Sequence, residues 1–169
     1  REAVARAEAL LRRIEALGSE EARAGMARYG IRTDDAFGVS VYELRRIARE
    51  LGSDHELALA LWATGNHEAR LLAGMVDDPA LVTAEQMDAW AAESGSWDVC
   101  DQVTSNLFDK TPLAWEKVEE WSAAGDEWVK RRRSPRPPPS PHRTRRRPTS
   151  RSSGSSSCAA ARRATTATT

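Results

Sequence analysis

The sequence predicts an all-α protein, on three observations. Apolar residues recur at helical spacing in short segments, each segment opens and closes on its own cap and stop residues, and no period-2 alternation competes. The helical reading stops near residue 128. All 25 acids lie in residues 1–128 beside 13 of the 25 bases, a net charge of −12. Residues 129–169 hold the other 12 bases, no acid, six of the eight prolines, and no Leu, Ile, Phe or Trp. The first part has the size of a single domain; the second lacks the side chains to bury a core.

Each helix has its own signals. Val4, Ala7, Leu10, Leu11 and Ile14 mark the first, which Gly18 closes. Ser19 can cap the next, with Glu20 and Glu21 at the positive end of its dipole, Met26 and Tyr29 along it, and Gly30 at its end. After Phe37-Gly38, Ser40 and Glu43 form a capping box ahead of Leu44, Ile47 and Leu51. Ser53 and Glu56 form a second box, opening the run Leu57 to Trp62. Gly65 stops that helix, and Asn66 can cap another that carries Glu68, Leu71, Leu72 and Met75. Thr83 with Gln86 starts a helix bearing Met87 and Trp90, and Ser96 precedes one expected to run to Phe108. Thr111-Pro112 reads as a cap followed by proline at the first helical position, ahead of Leu113, Trp115, Val118 and Trp121. Gly125-Asp126 announces a last helix at Trp128.

Helices of about 9–16 residues with short loops imply antiparallel pairs. Pairs recurring about every 40 residues point to a HEAT-like solenoid (an α-α superhelix), with a compact irregular bundle as the competing arrangement. Most tryptophans on such helices belong to the core, and Trp62, Trp90, Trp115 and Trp121 are assigned there.

Several functions are excluded. No apolar run approaches the roughly 18 residues of a membrane span, and residues 1–20 are too charged for a secretory leader. Cys100 and Cys158 lie one on each side of the composition break, which makes neither a disulfide framework nor a cysteine zinc site and fits a cytoplasmic protein. His55, His67 and His142 lack metal-ligand spacing, and no phosphate-binding glycine loop or nucleophile elbow is present. His67-Glu68 is read as a surface or interhelix bonding pair, Asp98 as a first-turn acid and Cys100 as a small buried residue. Asp101, inside a helix, has no comparable structural reason, and Trp97 stands at a helix start beside two acids.

The run Ser96-Trp97-Asp98-Val99-Cys100-Asp101 resembles the catalytic helix of the DNA alkylation repair glycosylases of the AlkD-like, HEAT-like-repeat family. Other landmarks fall in that family's order: Met26-Ala27-Arg28-Tyr29, Phe37-Gly38-Val39 leading to Leu44-Arg45-Arg46-Ile47-Ala48, Leu61-Trp62, His67-Glu68-Ala69-Arg70, and Trp128-Val129-Lys130-Arg131. The resemblance covers about residues 5–131. It implies a monomeric enzyme that needs no metal or organic cofactor. Such enzymes remove positively charged N3- and N7-alkylated purines from duplex DNA by hydrolysing the N-glycosidic bond, without flipping the base into a pocket. It further implies that Asp101 is the catalytic carboxylate, Trp97 an aromatic wall beside the sugar, Arg131 a phosphate clamp, and Tyr29 a DNA contact near the lesion. The chemistry suits the residue types. The leaving base is already cationic, so the task is to stabilise an oxocarbenium-like sugar and position a water, which a carboxylate and an indole face can do.

Past residue 131 the resemblance ends. The sequence then expects an incomplete repeat domain over 1–131 and a disordered Arg, Pro, Ser, Ala and Thr-rich tail over 132–169. The abrupt change inside a helix is what a GC-rich coding sequence gives when read out of frame; the alternative is a genuine basic tail that binds DNA through its charge. The functional alternatives are a non-catalytic helical-repeat module for DNA or protein, and an inactive truncated product. Because the sequence opens on Arg1, preceding residues of unknown number are also expected.

Overall fold

The computed structural model describes residues 1–123. Eight α-helices follow one another: α1 (Glu2–Ala16), α2 (Glu20–Arg28), α3 (Val41–Leu51), α4 (His55–Ala63), α5 (His67–Val76), α6 (Ala84–Glu93), α7 (Trp97–Asn106) and α8 (Ala114–Ala123), with a 3₁₀ turn at Phe108–Lys110. No strand occurs among the described residues. The expected helix at Trp128, Arg131, the boundary at 131/132 and the tail all lie outside them.

Caps fix most of the helix starts. Ser19, Ser40, Asn66 and Thr83 each accept the backbone N–H three residues on, from Ala22, Glu43, Ala69 and Gln86. Two starts differ from expectation. α4 is capped by Asp54 rather than Ser53: its carboxylate accepts the Leu57 N–H at 3.0 Å and an ion pair from Arg6 at 2.6 Å. α8 begins at Ala114, because the Thr111 hydroxyl donates back to the Phe108 carbonyl and closes the 3₁₀ turn.

The helices form two rows. In one, α1 packs on α4, and α4 meets α6 through Trp62 and Trp90, stacked at 4.1 Å with planes 2° apart. The same row reaches α8 through Asp88, which accepts from Lys117 (2.7 Å) and the Trp121 indole (2.8 Å). In the other row α3, α5 and α7 lie side by side, and α5 also packs against α4. Between the rows Ile14, Leu44, Ile47, Leu57, Leu61, Leu72, Val76, Met87, Val99, Val103 and Leu107 are almost wholly buried. This is the HEAT-like arrangement, in which each helix pair is covered by its neighbours. Trp62, Trp90 and Trp121 are core as expected; Trp115 is not, with 55% of its surface exposed. The face α8 buries runs through Ala114, Lys117, Val118 and Trp121, at i, i+3, i+4 and i+7, and Trp115 falls off it.

α7 sits close on α5 because position 74 is glycine. A Cβ there would stand 3.1 Å from Val103 Cγ2 and 3.3 Å from its Cα, so any larger residue must push the two helices apart.

Candidate functional site

The start of α5 holds the site together. Asn66 Nδ2 and the His67 N–H both donate to the Asp35 carbonyl, at 2.6 and 3.0 Å. Glu68 is wholly buried, and its carboxylate accepts the consecutive N–H groups of Phe37 (3.0 Å to Oε2), Gly38 (2.8 Å) and Val39 (3.2 Å). The loop so anchored in turn receives the Ser19 N–H on the Phe37 carbonyl, at the start of α2. Gly38 is required here: its φ is +79°, and a Cβ would lie 2.2 Å from the Ser19 carbonyl oxygen. Three consecutive residues of α5 and its cap thus fix the loop that positions α2 and Tyr29.

The same turn of α5 reaches α7. His67 Nε2 lies 2.9 Å from Asp98 Oδ2, and the Ser96 hydroxyl donates to the other oxygen of Asp98. Burial alone would push the Asp98 carboxyl up, but the bonds from His67 and Ser96, with the Val99 N–H, hold it below the usual aspartate range. His67 therefore bonds between helices and Glu68 anchors a loop, and neither is at the surface. Asp98 is more than a first-turn acid: it ties α7 to α5.

One turn further along, Asp101 differs in every respect. Its Oδ1 is buried and has no hydrogen-bond partner. Burial first, and then the charge of Asp98, raise its carboxyl above the ordinary aspartate value. Trp97, four residues earlier and hence on the same helix face, keeps 53% of its surface exposed while its indole N–H donates to the Tyr29 carbonyl at 3.2 Å. The Tyr29 side chain is itself 77% exposed. The structure thus places Trp97 and Asp101 on one face of α7, with the Trp97 indole against the Tyr29 backbone carbonyl; Arg131 lies outside the described residues.

Sequence reasoning passed over Asn66, His67 and Glu68 as organisers of this site. The available signal was a His-Glu pair directly after a capping Asn, at a helix start where backbone donors and side chains converge. Beside them is a small polar cavity of about 50 Å³, lined in part by Asp35, His67, Arg70, Ser96 and Val99, with room for a few waters. Arg70 packs its guanidinium over Trp62 at 5.1 Å and donates to the Glu93 carbonyl, while its Nε is buried without a partner. Among the described residues no group of three or more His, Cys, Asp or Glu could hold a metal ion, and no helix is long and apolar enough to cross a membrane.

A site with one tightly held and one unpartnered carboxylate, beside an exposed indole on a helical solenoid, can now be set against known proteins. The family model described as DNA alkylation repair enzyme matches residues 10–132, well over half of the chain. A solved structure matches with a TM-score of 0.64 at 28% sequence identity, covering 71% of this chain and 51% of its own. It belongs to a family of proteins related to the HEAT-like repeat DNA glycosylases, with affinity for branched DNA structures. The chain therefore spans about half the length of that structure. No curated protein matches the chain.

Proposed function

The chain belongs to the DNA alkylation repair enzyme family, and on that premise we propose that it is a DNA glycosylase for N3- and N7-alkylated purines in duplex DNA. The observation that carries the reading is Asp101. A buried carboxylate oxygen without a hydrogen bond is unfavourable in a folded protein, and a catalytic role is one reason such a group is kept. Its neighbour Asp98 is fully engaged, so Asp101 is the free anion of the pair.

In the proposed reaction the C1′–N bond breaks, its electron pair neutralises the cationic alkylated base, and C1′ becomes oxocarbenium-like. Asp101 stabilises that charge and accepts a proton from the water that adds to C1′, leaving an abasic site. Burial and the absence of competing donors strengthen both actions. The exposed face of Trp97 offers π density to the same cationic sugar, and its N–H bond to the Tyr29 carbonyl holds the ring in place. Because Trp97 stands at the surface, this reading lets the sugar be reached without extruding the base, unlike the flipping enzymes. Tyr29 contacts the DNA near the lesion, and Arg131 clamps a phosphate within a repeat unit spanning 1–131. No metal or organic cofactor takes part.

The test is release of 7-methylguanine or 3-methyladenine from a duplex by the full chain, compared with Asp101→Asn; equal release by the two would rule the mechanism out. The affinity of the matched structure's family for branched DNA favours one second reading, a non-catalytic binder of DNA junctions. Tighter binding to a four-way junction than to an alkylated duplex, with no base release, would select it.

A further inference from the structure

α2 is held to the body differently from the other described helices. It alone among them buries no residue, and it has no packing on another helix comparable to that of α1 on α4 or α5 on α7. At nine residues it is shorter than the roughly 12–15 that an isolated helix needs in water, and Gly25 in its middle weakens it further. Packing does not demand that glycine, since a Cβ there would meet nothing within 4 Å. The helix persists because its ends are held.

Two fixed points bracket it. At one, the Ser19 N–H donates to the Phe37 and Gly38 carbonyls at 3.1 and 3.2 Å, in the loop that Glu68 anchors. At the other, the Asp35 carbonyl accepts from the His67 N–H and from Asn66 Nδ2. Both points are therefore set by one turn of α5, and residues 20–34 run between them as a strap. The ion pairs of the strap are internal, Arg23 with Glu20 and Arg32 with Asp34. Among the described residues one hydrogen bond ties the strap to another helix: the Trp97 indole N–H donates to the Tyr29 carbonyl at 3.2 Å, in an exposed position.

We infer that residues 20–34 form a lid that opens and closes at Trp97, with the indole N–H and the Tyr29 carbonyl as its latch; that the lid serves substrate entry rests on the site proposed above. Closed, the latch holds the indole ring. Released, the strap swings about Ser19 and Asp35, and a helix this short, left without support, melts. An exposed hydrogen bond between neutral groups contributes little, and segments with few buried apolar contacts open locally while the rest of the fold stays intact. Closure of such a segment on a bound substrate completes many active sites, and here it would set the indole against the sugar.

The experiment is amide hydrogen exchange of the full chain, read by mass spectrometry. Residues 20–34 are expected to exchange well ahead of α5. Trp97→Phe keeps an aromatic ring and removes the donor, and should speed exchange of the strap by about 2- to 10-fold while leaving α1 and α5 unchanged. Gly25→Ala, whose methyl meets nothing, should slow it by about 2- to 5-fold. A strap as protected as α5, or a Trp97→Phe variant whose strap is unchanged or whose helices all exchange faster alike, would overturn the lid. A duplex carrying a tetrahydrofuran abasic analogue shows what the lid closes on: bound duplex, followed by fluorescence anisotropy, should slow strap exchange. Bound duplex that leaves the strap unchanged would overturn the role at this site. A chain that binds no duplex loses the DNA reading above instead, and the lid then stands or falls on the Trp97→Phe effect.

Discussion

Glu68→Ala is expected to be among the most damaging single substitutions in the chain. The side chain is wholly buried, and its two oxygens satisfy three consecutive backbone donors, those of Phe37, Gly38 and Val39. A hydrogen bond to a charged group contributes about 1.5–3 kcal/mol, and a buried donor left unpaired costs about 1–3 kcal/mol. Because the three donors share one loop that can partly resolvate, the terms do not add; a loss of about 3–5 kcal/mol is the physical expectation. For a domain of this size that corresponds to a melting point lower by roughly 12–20 °C. Glu68→Gln is milder. Its carbonyl can occupy the Oε1 position, which accepts all three N–H groups, and only the Oε2 contact to Phe37 is lost. About 1–2 kcal/mol follows for that variant. Urea denaturation followed by tryptophan fluorescence gives both values. A loss below about 1 kcal/mol for the alanine variant, or a glutamine variant as damaged as the alanine one, would refute the anchoring role assigned to Glu68.

Three further outcomes follow from the same geometry. Asp101 has a carboxyl raised in the folded state, so the folded chain holds that proton more tightly than the unfolded chain and loses stability as pH rises from the ordinary aspartate value through the raised one. Asp101→Asn should therefore match or exceed the wild-type melting point at neutral pH, the difference vanishing in acid; a variant less stable at pH 7 than wild type contradicts this. If ionised Asp101 is the base, base release falls as pH drops through its raised value, and Asp98→Asn, which removes a neighbouring negative charge, moves that acidic limb to lower pH. A pH–rate profile in which the limb moves up instead would disprove the coupling. Gly74→Ala forces a methyl to within 3.1 Å of Val103 and should cost about 1–3 kcal/mol by thermal melt, whereas a stabilised variant would show that α5 and α7 can separate freely.

Much of the fold is legible in the sequence because its signals are local. Ser19, Ser40, Asn66 and Thr83 announce helix starts, and each does accept the N–H three residues on. Where a distant partner decides, local reading slips. Ser53 and Asp54 are both competent caps, and Asp54 prevails with the support of Arg6, 48 residues away. Trp115 was assigned to the core because tryptophans on such helices usually belong there, but the buried face of α8 includes Lys117, whose ammonium is held by Asp88 and Glu120. A lysine on the apolar face shifts the apparent phase of the helix. Among the residues expected at the site, Trp97, Asp101 and Tyr29 were named through a family resemblance; Trp97 and Asp101 share a face of α7, and the Trp97 indole meets the Tyr29 backbone carbonyl. Glu68 was legible as a bonding residue but its partners were not, because three backbone donors on a loop 29–31 residues back leave no local trace.

Removal of an alkylated base is measured most directly under single-turnover conditions, with the full chain in excess over a duplex carrying one 7-methylguanine. The proposed mechanism predicts free base and an abasic site from the wild-type chain. It also predicts a rate lower by about 10²–10³ in Asp101→Asn, the range seen when one electrostatic stabiliser is removed from an active site. A folded wild-type chain that binds the duplex and releases no base, or an Asp101→Asn variant that releases it at the wild-type rate, would contradict it.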